Sequence, residues 1–114
     1  MKKKVLITGA AGFLGKLSID YFYKKYDLIL VDKRSINKKN FFNIDITNFE
    51  KIDSLIKKKK PDIILHYASE IFDTFDESQI NNNNVNGTFN LVKSASKNNI
   101  KNFIFTSTFS IFEK

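Results

Sequence analysis

Gly9, Gly12 and Gly15 follow one another at intervals of three, between an apolar run and a segment of helical period. A strand running into a turn of that spacing and then into a helix leaves few folds open. The run Lys4-Val5-Leu6-Ile7-Thr8 is short and nearly continuous in apolar residues, as expected of a strand buried on both faces of a parallel sheet. The rest of the chain repeats the alternation. Leu28 to Asp32, Phe41 to Ile44 (ending at Asp45), Asp62 to His66 and Asn102 to Thr106 read as further strands. Helices are predicted from about Gly12 to Lys25, from about Phe49 up to Pro61, and from about Ile80 to Lys97. Strands alternating with helices give an α/β doubly wound parallel sheet, with right-handed crossovers and the order 3-2-1-4-5.

Apolar spacing also assigns faces. On the first helix Leu14, Leu17 and Tyr21 form the expected inward stripe, and Lys16, Asp20 and Lys24 the wet face. Thr47 to Glu50 reads as a capping box, followed by a stripe of Phe49, Ile52, Leu55 and Ile56. On the long helix Val85, Phe89, Val92 and Ala95 are expected inward. The cluster Asp73, Asp76 and Glu77 favours the start of that helix, and the lysine run Lys57 to Lys60 the end of the one before it.

Each glycine of the turn answers a separate steric need. Gly9 permits the sharp turn out of the strand. Gly12, lacking a Cβ, lets the backbone approach a pyrophosphate, and Gly15 lets the helix pack tightly on the sheet. The free N–H groups of the first helical turn then face the phosphates, with the helix dipole behind them. Asp32 closes the second strand about twenty residues beyond Gly12, where a carboxylate accepts both ribose hydroxyls of an adenosine and repels a 2′-phosphate. The pattern is that of a Rossmann-type dinucleotide site for NAD, with NADP as the alternative because Lys33 and Arg34 follow directly.

Composition removes other classes. The 114 residues make one domain at most, and 42% hydrophobic with 14% aromatic content suits a packed core rather than disorder. With no cysteine and one histidine, His66, there are no disulfides, thiolate sites or histidine clusters for zinc. The net charge of +7 comes from scattered lysines rather than a basic face, which speaks against nucleic acid. The apolar run near Met1 is too short for a signal segment or a membrane span. A soluble, cytoplasmic protein is expected.

The Gly-x-x-Gly-x-x-Gly spacing resembles the short-chain dehydrogenase/reductase superfamily, and later motifs narrow the resemblance to its extended branch, the NAD-dependent epimerase/dehydratase family. Asp45-Ile46-Thr47 resembles the Asp–apolar pair that holds adenine. His66-Tyr67-Ala68-Ser69 is similar to the His-x-Ala-Ala/Gly turn after the fourth strand. Asn83-Asn84-Val85-Asn86-Gly87-Thr88 resembles the long-helix motif. Lys101 to Ser107, with Ile111 and Phe112, is similar to the fifth-strand motif Phe-x-Ser-Ser-x-x-Val-Tyr-Gly. The matches run in family order from Lys3 to Phe112.

The resemblance implies that Gly9, Gly12, Phe13, Leu14 and Gly15 hold the pyrophosphate, Asp32 the adenosine ribose, and Asp45 with Ile46 the adenine. Tyr67, Ala68 and Asn83 would approach the rest of the cofactor. Thr108 falls at the family's catalytic Ser/Thr position, where its hydroxyl would bond the substrate oxygen. A nucleotide sugar is the implied substrate, epimerised or dehydrated through transient hydride transfer.

Departures are equally plain. The family's base, a Tyr in Tyr-x-x-x-Lys, would lie some twenty-odd residues beyond the Ser/Thr motif, past Lys114. Tyr21 and Lys25 fit the spacing only by coincidence, since they sit on the first helix. Glu113 replaces a glycine, and Ile71 stands where sugar epimerases of one class carry a lysine. The chain is therefore expected to be a Rossmann domain truncated after the fifth strand, lacking the base and the substrate domain and inactive alone. A stand-alone or vestigial dinucleotide-binding protein, and a reductase of another carbonyl substrate, are the alternatives. The fifth strand, apolar on both faces, should form an exposed edge through which the chain self-associates.

Overall fold

The computed structural model describes residues 2–68 and 77–106. Along the chain run β1 (Lys4–Thr8), α1 (Phe13–Phe22), β2 (Asp27–Asp32), β3 (Phe41–Asn43), α2 (Phe49–Lys59), β4 (Ile63–His66), α3 (Glu77–Lys97) and β5 (Asn102–Phe105). The five strands form one sheet in the order β3-β2-β1-β4-β5, every neighbouring pair parallel. This is the doubly wound α/β architecture expected from the alternation of runs.

Strand alternation sorts the core into two layers. Leu6, Ile29, Val31 and Ile64 point to one face, where they pack with Ile52, Leu55 and Ile56 of α2 and Leu91 and Ala95 of α3. Val5, Ile7, Leu30 and Leu65 point to the other, beneath Ile19 of α1. Thus α1 covers one face of the sheet, and α2 with α3 the other. Strands with both faces covered need the continuous apolar runs seen in the sequence.

Three helix assignments change. On α1 the buried residues are Gly15 and Ile19, whereas Leu14, Leu17 and Tyr21 are exposed. The cause is Gly15. A Cβ there would overlap the Gly9 carbonyl oxygen and lie 2.7 Å from Ala10 Cα, so the helix turns its smallest residue to the sheet. On α3, Val85, Phe89 and Val92 are likewise exposed, while Leu91, Ser94 and Ala95 are buried. Gly87 again marks the contact face, with Ile46 filling the space of its missing side chain. Only Ala95 of the expected stripe faces inward.

The third change is the cap of α2. Asn48, not Thr47, is its N-cap, accepting the Lys51 N–H at 3.2 Å. Thr47 is drawn back instead, its N–H and hydroxyl both donating to Asp45 Oδ1. The far end of α2 closes as expected, with Lys57, Lys58 and Lys59 in the last turn and Lys60 in the left-handed conformation. A buried polar cluster ties α2 to α3. Asp53 accepts hydrogen bonds from Ser94 Oγ (2.7 Å), Lys97 Nζ (3.1 Å) and Asn98 Nδ2 (3.1 Å). Led by the Ser94 bond, these hold the carboxyl down at about 2 despite its burial.

Among the described residues β5 is an edge strand, with Ile104 and Phe105 each more than half exposed. No helix among them is long and apolar enough to cross a membrane.

Candidate dinucleotide site

At the carboxyl ends of β1, β2 and β4 the chain makes three turns that meet. The first leaves β1 at Gly9, which holds a φ of 71°, a conformation that costs most side chains energy. Space forbids a side chain as well, since a Cβ at Gly9 would lie 2.7 Å from Ala68 N. The β1 turn is therefore packed directly on the β4 turn.

Gly12 differs from both neighbours in the motif. As the N-cap of α1 it is extended, with φ −82° and ψ 179°, which any residue adopts. A Cβ there would be 3.4 Å from the Gly9 carbonyl oxygen and 3.7 Å from Arg34 Nη2, ordinary contacts or nearly so. Nothing inside the protein excludes a side chain at Gly12. The space it leaves faces the N-terminus of α1, where no side chain caps the helix and no acidic residue occupies the first turn. N–H groups at such an end have no intrahelical partner and, with the dipole, favour an anion. The cradle fits a pyrophosphate.

Asp32, at the end of β2, completes the geometry. Its side chain is buried; Oδ2 accepts the Ala11 N–H at 2.9 Å, and Oδ1 accepts the Arg34 N–H at 2.8 Å. Arg34 Nε lies 3.4 Å from the same oxygen, with the Arg34 side chain largely exposed. The two sequence signals twenty-one residues apart are thus one structural unit.

The remaining candidates divide. Phe13 and Leu14 begin α1 with exposed side chains. Asp45 is exposed, but the Ile46 side chain is buried in the core and its carbonyl accepts Asn90 Nδ2 at 2.9 Å. Asp45 is the member of that pair whose side chain stays accessible. Tyr67 turns its ring to the α1 layer, where its hydroxyl accepts Ser18 Oγ–H at 2.9 Å, so its backbone rather than its phenol borders the turn. Ala68 packs on the opposite layer. Asn83 belongs to α3. Thr108 lies outside the described residues, as do Ser69, Ile71, Asp73 and Asp76.

Sequence reasoning missed Thr8 and Thr88. Thr8 accepts the Tyr67 and Ala68 N–H groups on its hydroxyl. His66 lies between Thr8 (2.7 Å) and Thr88 (2.8 Å). A threonine ending an otherwise apolar strand was the available signal for the first, since a buried hydroxyl needs partners.

Residues 5–114 match the profile of the NAD dependent epimerase/dehydratase family. The chain belongs to that family. It is 29% identical to a dTDP-D-glucose 4,6-dehydratase of Dictyostelium discoideum, over 96% of this chain and 30% of that protein. It is 31% identical to a sterol-4-alpha-carboxylate 3-dehydrogenase of Candida albicans, over 93% of this chain and 34% of that protein. Among solved structures, the UDP-Glc/GlcNAc 4-epimerase of Campylobacter jejuni superposes with a TM-score of 0.85 at 27% identity, over 95% of this chain and 38% of that one. The family member described here thus spans about a third of the length of these relatives.

Proposed function

We propose that the chain binds NAD and forms the cofactor-binding portion of an enzyme that epimerises or dehydrates a nucleotide sugar. The carrying observation is the union of the glycine turn with Asp32. A helix N-terminus free of capping side chains, a Gly12 with no internal reason to lack a Cβ, and a carboxylate bonded to the turn at 2.9 Å suit an adenosine diphosphate half. Asp45 is assigned to the adenine edge, with Ile46 contributing backbone. The Tyr67–Ala68 turn and Asn83 are assigned to the nicotinamide half. When bound, the nicotinamide accepts and returns a hydride. Thr108 would hydrogen-bond the sugar hydroxyl, and the base would come from a Tyr-x-x-x-Lys segment of the full-length enzyme.

Calorimetry with NAD and NADP tests the reading. Gly12→Val should abolish binding of both, because its branched side chain enters the pyrophosphate's space. Asp32→Ala should weaken NAD more than NADP. Unchanged affinity in the first variant, or equal losses in the second, would remove the assignment. The likeness to the Candida albicans dehydrogenase supports a second reading, in which the substrate is a non-sugar carbonyl or alcohol. Screening the full-length enzyme for NAD reduction against nucleotide sugars and sterol-type alcohols separates the two.

A further inference from the structure

Thr8, His66 and the half-buried Thr88 form a polar relay on the α3 face of the sheet. Thr8 and His66 stand side by side in register on β1 and β4, and neither has any exposed surface. Thr8 Oγ accepts the Ala68 N–H at 3.2 Å and shares the Tyr67 N–H, at 3.1 Å, with its own carbonyl. A hydroxyl has two lone pairs and one proton. With both lone pairs taken, the Thr8 proton is directed to His66 Nδ1, 2.7 Å away. Nδ1 is then the acceptor, the ring is the Nε2–H tautomer, and Nε2–H donates to Thr88 Oγ at 2.8 Å. Burial pushes the imidazole down to about 4, which keeps the ring neutral and the direction of the relay fixed at pH 7.

We propose that His66 and Thr88 are positioning residues that lock the Tyr67–Ala68 turn to α3 and so set the geometry of the nicotinamide end of the site; this rests on the cofactor reading above. The two segments which the cofactor reading assigns to that end come from different elements. The 67–68 turn follows β4, and Asn83 lies on α3, five residues before Thr88. The relay is a direct polar link between them. Its upper end holds both N–H groups of the turn, and its lower end is a hydroxyl of α3 itself. The adenosine half is read elsewhere, by the glycine turn and Asp32. Loss of the relay should therefore divide the cofactor's two halves.

Thr88→Val in the full-length protein keeps the side-chain shape and removes the acceptor. The expected result is a loss of about tenfold in NADH affinity, with ADP affinity within about twofold of wild type. Thr88→Ser should restore NADH binding. Nitrogen-15 spectra of His66 should show the Nε2–H tautomer in the wild type and the Ser variant. An equal loss of ADP and NADH would mean the relay only braces the fold, and would overturn the proposal while leaving the cofactor reading intact. Unchanged NADH affinity, or a wild-type ring protonated at Nδ1, would overturn it too. Failure of the wild type to bind either ligand would overturn the cofactor reading and the proposal together.

Discussion

Ile46 Cδ1 lies 2.5 Å from the point where a Cβ on Gly87 would sit, and Ile46 Cγ1 lies 2.7 Å from it. The segment after β3 is keyed into α3 here, beside the bond from Asn90 Nδ2 to the Ile46 carbonyl. Two effects of Gly87→Ala oppose each other. Alanine gains about 1 kcal/mol in helix propensity, while overpacking a filled core costs roughly 1–3 kcal/mol. Because both outer atoms of a buried side chain must move, the clash should win, with a net loss of about 1 kcal/mol. Ile46→Ala alone should cost about 2–5 kcal/mol, and the double variant less than the sum. Urea unfolding of all four proteins measures the coupling; a stabilised Gly87→Ala would contradict the packing.

Arg34 sits at the mouth of the proposed ribose site, bonded to Asp32 and beside Gly12. Its guanidinium is the group best placed to offset the repulsion between Asp32 and a 2′-phosphate. Arg34→Ala should lower NADP affinity by about fivefold, the scale of one exposed charged contact, and leave NAD nearly unchanged. Calorimetric titration with both dinucleotides decides it. Equal losses would show that Arg34 only orients Asp32.

His66 makes stability depend on pH in a defined window. Its imidazole titrates near 6.5 when unfolded and near 4 when folded. Between these values the unfolded chain binds more protons, so stability is full above about 6.5 and falls as pH drops toward 4. The depth is about 3 kcal/mol. Thr8, Thr88, Phe103 and Phe105 face the ring. None is charged, so salt should leave the window in place. Urea midpoints at several pH values should show the slope in the wild type and lose most of it in His66→Gln.

Asp53 predicts a contrast between two partners of one carboxylate. Removing the buried acceptor with Asp53→Ala strands the buried Ser94 hydroxyl, while Asn98 keeps its bonds to Ser94, and should cost about 1–3 kcal/mol. Lys97 is half exposed, so Lys97→Met should cost less than about 1 kcal/mol. Thermal unfolding orders the two. The reverse order would mean that the ion pair, rather than the hydroxyl and amide bonds, holds α2 to α3.

The strands were legible because burial on both faces leaves no alternative to runs such as Val5 to Ile7 and Ile63 to Leu65. The link between the glycine turn and Asp32, made by the Ala11 N–H, was legible because the steric demand of the turn and the carboxylate ending the next strand are each local. Helix faces were not. Both α1 and α3 carry two apolar stripes, and hydrophobicity alone cannot choose between them. Here Gly15 and Gly87 choose, since the side that lies closest to its neighbour needs the smallest residue. Asp53 was hidden for a related reason: a charge beside Ile52 reads as surface until Ser94 and Asn98 are seen opposite it.

The carboxylate of Asp32 is held by the protein's own groups, the backbone N–H donors of Ala11 and Arg34. Its rotamer entropy is lost when the chain folds rather than when a dinucleotide arrives. Affinity at such a site is not reduced by the cost of ordering that side chain. For the cofactor proposed here, association should therefore be a single-step event at the adenosine end. Any slow phase in stopped-flow traces would belong to the nicotinamide end.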